Sequence, residues 1–392
     1  MGFFAFICIF EFFEHGLIPQ STTVYAFSYK YGFISRGLMG TIWLVLDKIL
    51  PASLMNFKAI YTFTKIMTVV WYAVLFWFYY VVLKLCHIKD ERNMRYLICL
   101  LSVFTFPMFV TEENFGRLDQ YLMILTVIAC ILIVKEKMEW LIVPIVAVCM
   151  LMHHGYVFMY LNIILVLFFY KILMREQQRK KYMVLFSATF LIASVLFLYF
   201  EFFSHPEGTN IADEIIALAK ALSQDGKSYS TSMVDHEILG LDVYDDEWYC
   251  HMVNRYEIPL ALFFYSPYLV IGLHYFRGLF KGKNVKEKWA YLAVAVGVLT
   301  LLPQMILKVD YGRYLFAAFF YYIAIIICLI AMKDEHVIKQ LEKTKNAIKR
   351  VVPCAQLLVA YPMLFQPFLD VSMSYDFWQN IKPYVLQIEN LK

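Results

Sequence analysis

The sequence predicts an all-α protein in which residues 1–392 form one integral membrane domain, a polytopic bundle of transmembrane helices. Hydrophobic residues make up 61% of the chain and charged residues 17%, whereas soluble domains carry about 45–50% and about 25%. A chain of this composition cannot bury its apolar surface in an aqueous core, so lipid is the solvent that fits. The apolar residues form a series of runs, and the basic loops between those runs alternate.

Eleven apolar runs are candidates for spanning helices, which need about 17–25 residues each. Several runs are short or contain polar residues, so we predict about 11 spans within a range of about 10 to 13. The runs are 3–17, 59–83, 95–111, 119–135, 139–154, 156–173, 182–203, 257–276, 288–306, 312–332 and 351–370.

Five loops between these runs hold most of the 35 Lys and Arg residues. Because short basic loops stay on the cytoplasmic side of a membrane, these five define that face. They are 84–95, 135–137, 171–181, 277–288 and 333–350. The alternate loops and the C-terminal tail then face outward, so we predict a cytoplasmic N-terminus and an outward C-terminus.

The first outer loop, 18–58, contains an apolar stretch at 37–50 that is too short to span a membrane. Counting it as a span would invert every later loop and break the charge pattern. Leu38, Ile42 and Val45 recur at helical spacing, and Pro51 follows the stretch. We therefore predict an amphipathic helix that lies on the outer interface and ends before the proline.

The long polar stretch 204–256 is acidic and falls on the outer side. Residues 211–222 have the pattern of an amphipathic helix, with Thr209 or Asn210 as its N-cap. We predict an extracytoplasmic acidic loop that caps the protein. It is either a solvated cover or a contributor to the binding of substrate or divalent cations.

Ionisable residues stand at the outer ends of the predicted spans, where burying them is costly and function is the default explanation. Structural ion pairs and hydrogen-bonded core histidines are the alternative explanation for the same residues. The candidates for catalysis are His153, His154, Glu113, Asp119 and Glu14, and the candidates for substrate binding are Arg36, Arg117, Arg313, Asp310 and Lys30.

These residue types suit a substrate that carries phosphate. The planar fork of an arginine matches a phosphate or pyrophosphate group, and each of the three arginines stands beside a glycine, which allows close backbone approach. His153 or His154 would take a proton from an acceptor hydroxyl, and Glu113 or Asp119 would do the same or orient the histidine. No metal site and no cofactor are expected, because the residue pattern supports neither a zinc site nor a divalent cation.

The spans, the interfacial helix, the late outer loop and the Arg and His residues at outer helix ends resemble two groups of bacterial envelope enzymes. One group is the Wzy-type polymerases and O-antigen ligases, which transfer glycans from undecaprenyl diphosphate, and the other is the wider GT-C glycosyltransferase fold. The resemblance covers architecture along most of the chain, without a diagnostic motif. It implies that Arg36, Arg117 and Arg313 are diphosphate ligands. A GT-C enzyme also has an acidic residue in the first outer loop, but 18–35 contains none, so Glu14 would take that role.

The resemblance implies an enzyme of the bacterial inner membrane that extends a capsule, O-antigen or exopolysaccharide. It would use an undecaprenyl-(di)phosphate-linked sugar at the outer leaflet by inverting transfer. The partners implied are membrane lipid, an undecaprenyl-linked oligosaccharide and a chain-length regulator protein, whereas the charge pattern does not suggest nucleic acid. Three alternatives stay open, a GT-C transferase with a polyprenyl-phosphate monosaccharide donor, a polysaccharide or lipid transporter or flippase, and a non-catalytic membrane scaffold or receptor. Mid-span charges other than Lys65 are nearly absent, which argues against ion-coupled transport.

Overall fold

The computed structural model of the 392-residue chain describes residues 17–51, 53–85, 115–204, 206, 210–239, 257–281, 283–307 and 311–354. Every regular element in those residues is a helix, which confirms the all-α prediction. The predicted spans 3–17, 95–111 and 351–370 lie wholly or mostly outside them. The chain divides into two compact units, Met1–Val81 with Phe109–Val243 and Val82–Met108 with Tyr244–Lys392.

Three helices in the described residues are long and apolar enough to cross a membrane, at Phe57–Trp77, Glu176–Phe202 and Arg313–Ala331. Two shorter apolar helices occupy Glu139–Met152 and Leu161–Met174. The protein is therefore all-α and carries helices suited to a membrane. The total of about 11 spans, the GT-C-like topology and the orientation stay predictions.

The first unit is built around four helices that pack side by side and are joined by short connections, so successive helices alternate in direction. These four are Asp119–Lys135, Ile142–Met152, Leu161–Met174 and Arg179–Phe202. The helices of this unit in the described residues are α1 (Pro19–Val24), α2 (Leu38–Ile49), α3 (Phe57–Leu85), α4 (Asp119–Lys135), α5 (Ile142–Met152), α6 (Tyr156–Met159), α7 (Leu161–Met174), α8 (Arg179–Phe202), α9 (Ile211–Leu222) and α10 (Thr231–Glu237).

Lys171 marks one end of the four-helix group. Its buried ammonium donates to Glu136 Oε1 at 2.9 Å and to the Tyr182 hydroxyl at 3.1 Å. The turn that follows α4 and the turn that follows α7 therefore lie at the same end of the group. The charge pattern assigns these turns, 135–137 and 171–181, to one face, and the contacts agree with that pairing.

Helix α2 has one buried apolar face and one exposed apolar face. Trp43 is buried, and its ring centroid lies 5.2 Å from that of Tyr25 and 5.1 Å from that of Phe63. The exposed side chains are Ile42, Val45 and Ile49. A helix that is apolar on its outer side suits the lipid interface, which is the position predicted for 37–50.

Gly40 is the point where α2 approaches the preceding segment most closely. A Cβ atom at this position would overlap the backbone carbonyl oxygens of Phe27 and Tyr25, which cannot rotate away. We expect Gly40→Ala to lower the free energy of unfolding by about 1–3 kcal/mol or more. The measurement is unfolding of the purified protein in detergent micelles by titration with dodecyl sulfate.

A matched control for this substitution is Gly272→Ala, because a Cβ atom at that helical glycine meets nothing within 4 Å. There the substitution is expected to leave stability unchanged or to raise it by up to about 1 kcal/mol. Equal stabilities of the two variants would contradict the close approach at Gly40.

The acidic segment begins with α9, which forms where the sequence predicts it. Its apolar face is buried through Ile211, Ile215, Ala219 and Leu222. Asn210 occupies the N-cap position, but its side chain makes no capping hydrogen bond. The helix is therefore held by burial of its apolar face rather than by the predicted cap.

The segment that follows α9 is attached to α1 by two hydrogen bonds. Thr22 Oγ1 donates to the Ser228 carbonyl at 2.9 Å, and the Ser230 amide donates to Thr23 Oγ1 at 2.9 Å. Ser230 then caps α10 by accepting a hydrogen bond from the Met233 amide. The described part of the acidic loop, which we call the acidic cover, is thus folded and fixed to the segment 18–58.

The second unit contains five α-helices within the described residues. In order they are α11 (Glu257–Phe280), α12 (Val285–Val296), α13 (Leu302–Leu307), α14 (Tyr311–Ala331) and α15 (Glu335–Val351). The Tyr291 hydroxyl donates to Asp334 Oδ2 at 2.8 Å, and 3.0 Å separates His336 Nε2 from the Leu279 carbonyl oxygen. The connections after α11 and after α14 therefore lie at one end of this unit, as the charge pattern predicts for 277–288 and 333–350.

The basic stretch 333–350, treated by the charge pattern as a loop, folds into helix α15. Val337, Leu341 and Ile348 recur at helical spacing and are buried, which gives the stretch an apolar face despite its charge. Asp334 caps the helix by accepting hydrogen bonds from the amides of the second and third residues that follow it.

Candidate functional site

Three side chains from distant parts of the chain meet where α5 and α8 end. Ser35 lies in the turn before α2, His154 follows α5, and Glu201 lies in the last turn of α8. The distance from Ser35 Oγ to His154 Nδ1 is 2.7 Å, and the distance from His154 Nε2 to Glu201 Oε1 is 3.3 Å. We call these three residues the serine–histidine–glutamate cluster.

The proton positions in this cluster follow from what each group can donate. His154 Nε2 lies 3.3 Å from Glu201 Oε1, and because an ionised carboxylate only accepts hydrogen bonds, this contact favours the tautomer with its hydrogen on Nε2. In the neutral ring the other nitrogen, Nδ1, then has a lone pair, and the Ser35 hydroxyl must donate to it. The cluster therefore joins an alcohol, a base and a carboxylate that orients the base.

The cluster is partly open to its surroundings. Ser35 is buried, whereas the His154 side chain is 18% exposed and the Glu201 side chain is 42% exposed. The ring of Phe200 packs near His154, with centroids 6.4 Å apart. His154 and Glu201 are thus the accessible members of the cluster, and the histidine lies beside an aromatic ring.

Arg36 follows Ser35 directly and has a left-handed backbone, with φ at 61°. One of its guanidinium nitrogens, Nη2, lies 3.1 Å from Glu237 Oε1 in the last turn of α10. Its Nε atom is buried and has no hydrogen-bond partner. The acidic cover therefore supplies a carboxylate to the arginine that the sequence predicts as a phosphate ligand, and one donor of that arginine stays unused.

Two further predicted residues lie in the same part of the first unit and are buried. The Gly155 amide donates to His153 Nδ1 at 3.2 Å, and the His153 and His154 rings lie 5.5 Å apart between centroids. Asp119 accepts a hydrogen bond from the Tyr160 hydroxyl at 2.8 Å. The adjacent His154 contacts both an alcohol and a carboxylate.

The remaining candidates in the described residues occupy different surroundings. Lys30 is exposed and pairs with Glu214 at 3.1 Å, and the carboxylate raises the pKa of Lys30. Arg117 is half-buried and follows Gly116, whose φ is 94°. Arg313 is buried near the start of α14 in the second unit.

A shared site for Arg36, Arg117 and Arg313 stays a prediction, because the first two belong to one unit and the third to the other. Glu14, Glu113 and Asp310, which the sequence also nominates, lie outside the described residues.

The sequence reasoning missed Ser35, Glu201 and Glu237. Glu201 carried a signal, because it is a single acidic residue at the outer end of the apolar run 182–203. Ser35 and Glu237 carried none, because their pairing depends on how separate segments pack. Across the described residues, no three His, Cys, Asp or Glu side chains are grouped closely enough to hold a metal ion.

Comparison with known proteins gives no match for this chain, whether to a family model, to a curated protein or to a solved structure. The class that the fold defines is an all-α protein with helices suited to a membrane.

Proposed function

We propose that this protein is a bacterial inner-membrane glycosyltransferase that uses undecaprenyl-(di)phosphate-linked sugars at the outer leaflet, acting as a polysaccharide polymerase. One observation carries the proposal. His154, a base with an orienting carboxylate, is hydrogen-bonded to Ser35, the residue that directly precedes Arg36. Glycosyl transfer from a lipid diphosphate needs a base for the acceptor and a cation for the leaving group, and here the base contacts the residue that directly precedes the cation in the chain.

In the proposed reaction an acceptor hydroxyl replaces the Ser35 hydroxyl at His154 Nδ1. His154 takes the hydroxyl proton as the oxygen attacks the anomeric carbon, and Glu201 stabilises the imidazolium that forms. The lipid diphosphate leaves with its negative charge facing Arg36. A single displacement of this kind inverts the anomeric configuration.

Glu237 fits this proposal as the group that holds Arg36 when no substrate is bound. Its carboxylate lies 3.1 Å from the guanidinium and is largely buried. A diphosphate carries more negative charge than a carboxylate and accepts a bidentate arginine equally well, so it would displace Glu237. The Nε atom of Arg36 is buried and has no hydrogen-bond partner, so the proposal assigns only the terminal guanidinium nitrogens to the ligand.

The direct test is reconstitution of the full chain in lipid vesicles with an undecaprenyl-diphosphate oligosaccharide, followed by size analysis of the products. Chain extension supports the polymerase. Addition of single sugars from a polyprenyl-phosphate monosaccharide would favour the GT-C alternative. Movement of the lipid-linked substrate between leaflets without a new glycosidic bond would favour the flippase and overturn the proposal.

Arg36 provides a second test of the same reaction. We expect Arg36→Gln to lower the rate of chain extension by about 10²–10³-fold, because the leaving diphosphate loses a preorganised positive charge. The matched control is Lys48→Gln, which removes an exposed positive charge from α2 and should leave extension unchanged. An unchanged rate in the Arg36 variant would remove this residue from the substrate site.

A further inference from the structure

The serine–histidine–glutamate cluster contains an alcohol that belongs to the protein itself. We propose that Ser35 is a nucleophile and that this cluster catalyses acyl transfer from lipid-soluble carboxylic esters. This second activity needs no lipid-linked sugar, so its test does not depend on the proposed glycosyltransferase activity. Its substrate class is an ester whose acyl chain lies in the membrane.

The first support is the pair of contacts that His154 makes. Glu201 Oε1 lies 3.3 Å from Nε2 and favours the neutral tautomer with its hydrogen on that nitrogen, and in this tautomer the lone pair of Nδ1 faces the Ser35 hydroxyl at 2.7 Å. A serine that donates to the unprotonated nitrogen of a carboxylate-oriented histidine is an activated nucleophile. Ser35 and His154 are separated by 119 positions in the chain, so the contact is a product of the fold and not of local sequence.

The second support is the backbone around Ser35. Arg36 adopts φ of 61°, a left-handed conformation that non-glycine residues rarely adopt and that proteins tend to retain at functional positions. Helix α2 begins two residues later, at Leu38. Its first amides are hydrogen-bond donors close in the chain to Ser35, beside which the oxyanion of the substrate would develop.

The third support is an aromatic surface beside the cluster. Phe33 is 39% exposed, and its ring centroid lies 5.1 Å from that of Tyr199 and 5.3 Å from that of Phe200. Phe202 and Phe203 at the end of α8 are 65% and 67% exposed. An apolar surface at the end of a helix suited to span a membrane fits a long acyl chain better than a short one.

The reaction has two balanced halves. In the first, Ser35 Oγ attacks the ester carbonyl carbon, its proton passes to His154 Nδ1, and the alcohol leaves with that proton as the carbon–oxygen bond breaks. In the second, water or another alcohol gives a proton to Nδ1, its oxygen attacks the acyl carbon, and Ser35 leaves and recovers the proton. Glu201 keeps its charge throughout and stabilises the imidazolium.

The experiment is labelling of the purified full chain, in detergent micelles, with a fluorophosphonate that carries an alkyl chain and a fluorophore. We expect covalent labelling that peptide mapping assigns to Ser35, and no labelling of Ser35→Ala. His154→Ala should slow labelling by at least about 100-fold, because the base is lost. The matched control is Ser53→Ala, which removes an exposed serine that donates to Asp47 Oδ1 and should label at the normal rate.

Glu201 is a positioning residue, and its role is separated from a purely structural one by the kinetics of labelling. Glu201→Gln should lower the maximal labelling rate while the probe concentration for half-maximal rate stays unchanged, and Glu201→Asp should restore part of the rate. Folding of every variant is checked by size-exclusion chromatography. The proposal is overturned if the folded wild-type chain is not labelled, or if mapping assigns the label to a serine other than Ser35.

Discussion

Replacing His154 by alanine is expected to lower the rate of chain extension in the reconstituted system by about 10²–10⁴-fold. The reason is that His154 Nδ1 is the atom assigned to take the acceptor proton, and its position is fixed by the contact of Nε2 with Glu201 at 3.3 Å. Removing Glu201 as Glu201→Gln should cause a smaller loss, because the ring keeps a hydrogen-bond acceptor but loses the charge that stabilises the imidazolium.

Two other histidines make this prediction discriminating. His274→Ala removes an exposed histidine from α11 in the second unit and should leave the rate of extension unchanged. His153 is held by the Gly155 amide, so His153→Ala should lower stability more than the rate per folded molecule. If the His153 variant loses activity and the His154 variant keeps it, then His153 is the base and the assignment to His154 is wrong.

Much of the helical structure was predictable because hydrophobic runs and basic loops report directly on the solvent that each segment prefers. The runs at 59–83, 182–203 and 312–332 coincide with the three helices suited to span a membrane. Helix α15 was missed, because its apolar residues recur at helical spacing within a strongly charged stretch, and counting charges alone hides that periodicity. The run at 288–306 is divided between α12 and α13 by a 3₁₀ segment at Gly297–Leu301, and Pro303 lies in the first turn of α13, where proline is tolerated.

The candidate site was predictable only at the level of residue type. His154 and Arg36 stand out in the sequence as polar residues at the ends of apolar runs, where their burial is costly. Their partners Ser35, Glu201 and Glu237 are defined by contacts between segments that are far apart in the chain. No periodicity or spacing specifies such contacts, because they depend on which helix ends pack together.

Lys171 is the residue whose removal is expected to affect stability most. It is fully buried, and its ammonium donates to the Ile133 carbonyl at 2.5 Å and to Glu136 Oε1 at 2.9 Å. Glu139, which is also buried, lies 3.8 Å away and pairs with Lys181 as well. The end of the four-helix group is thus closed by a charged network whose members depend on one another for hydrogen bonds.

We expect Lys171→Met to lower the free energy of unfolding by about 3–5 kcal/mol, because several groups lose a partner at once while the side-chain volume is kept. The Ile133 carbonyl loses its donor, Glu136 loses its cation, and the buried Glu139 keeps only Lys181 of its two lysines. The measurement is the titration with dodecyl sulfate that is applied to Gly40→Ala. The matched control is Lys180→Met, which replaces an exposed lysine in the first turn of α8. A change in the free energy of unfolding within about 0.5 kcal/mol is expected there.

A double variant separates the charge effect from lost packing. If the cost of Lys171→Met comes from an unpaired carboxylate, then Lys171→Met combined with Glu136→Gln should be less destabilised than the sum of the two single variants. Strict additivity would show that Lys171 contributes through packing and the Ile133 carbonyl instead. In that case the Lys171–Glu136 ion pair would not stabilise the fold. The basic residues of 135–137 and 171–181 would then serve only to orient the chain in the membrane.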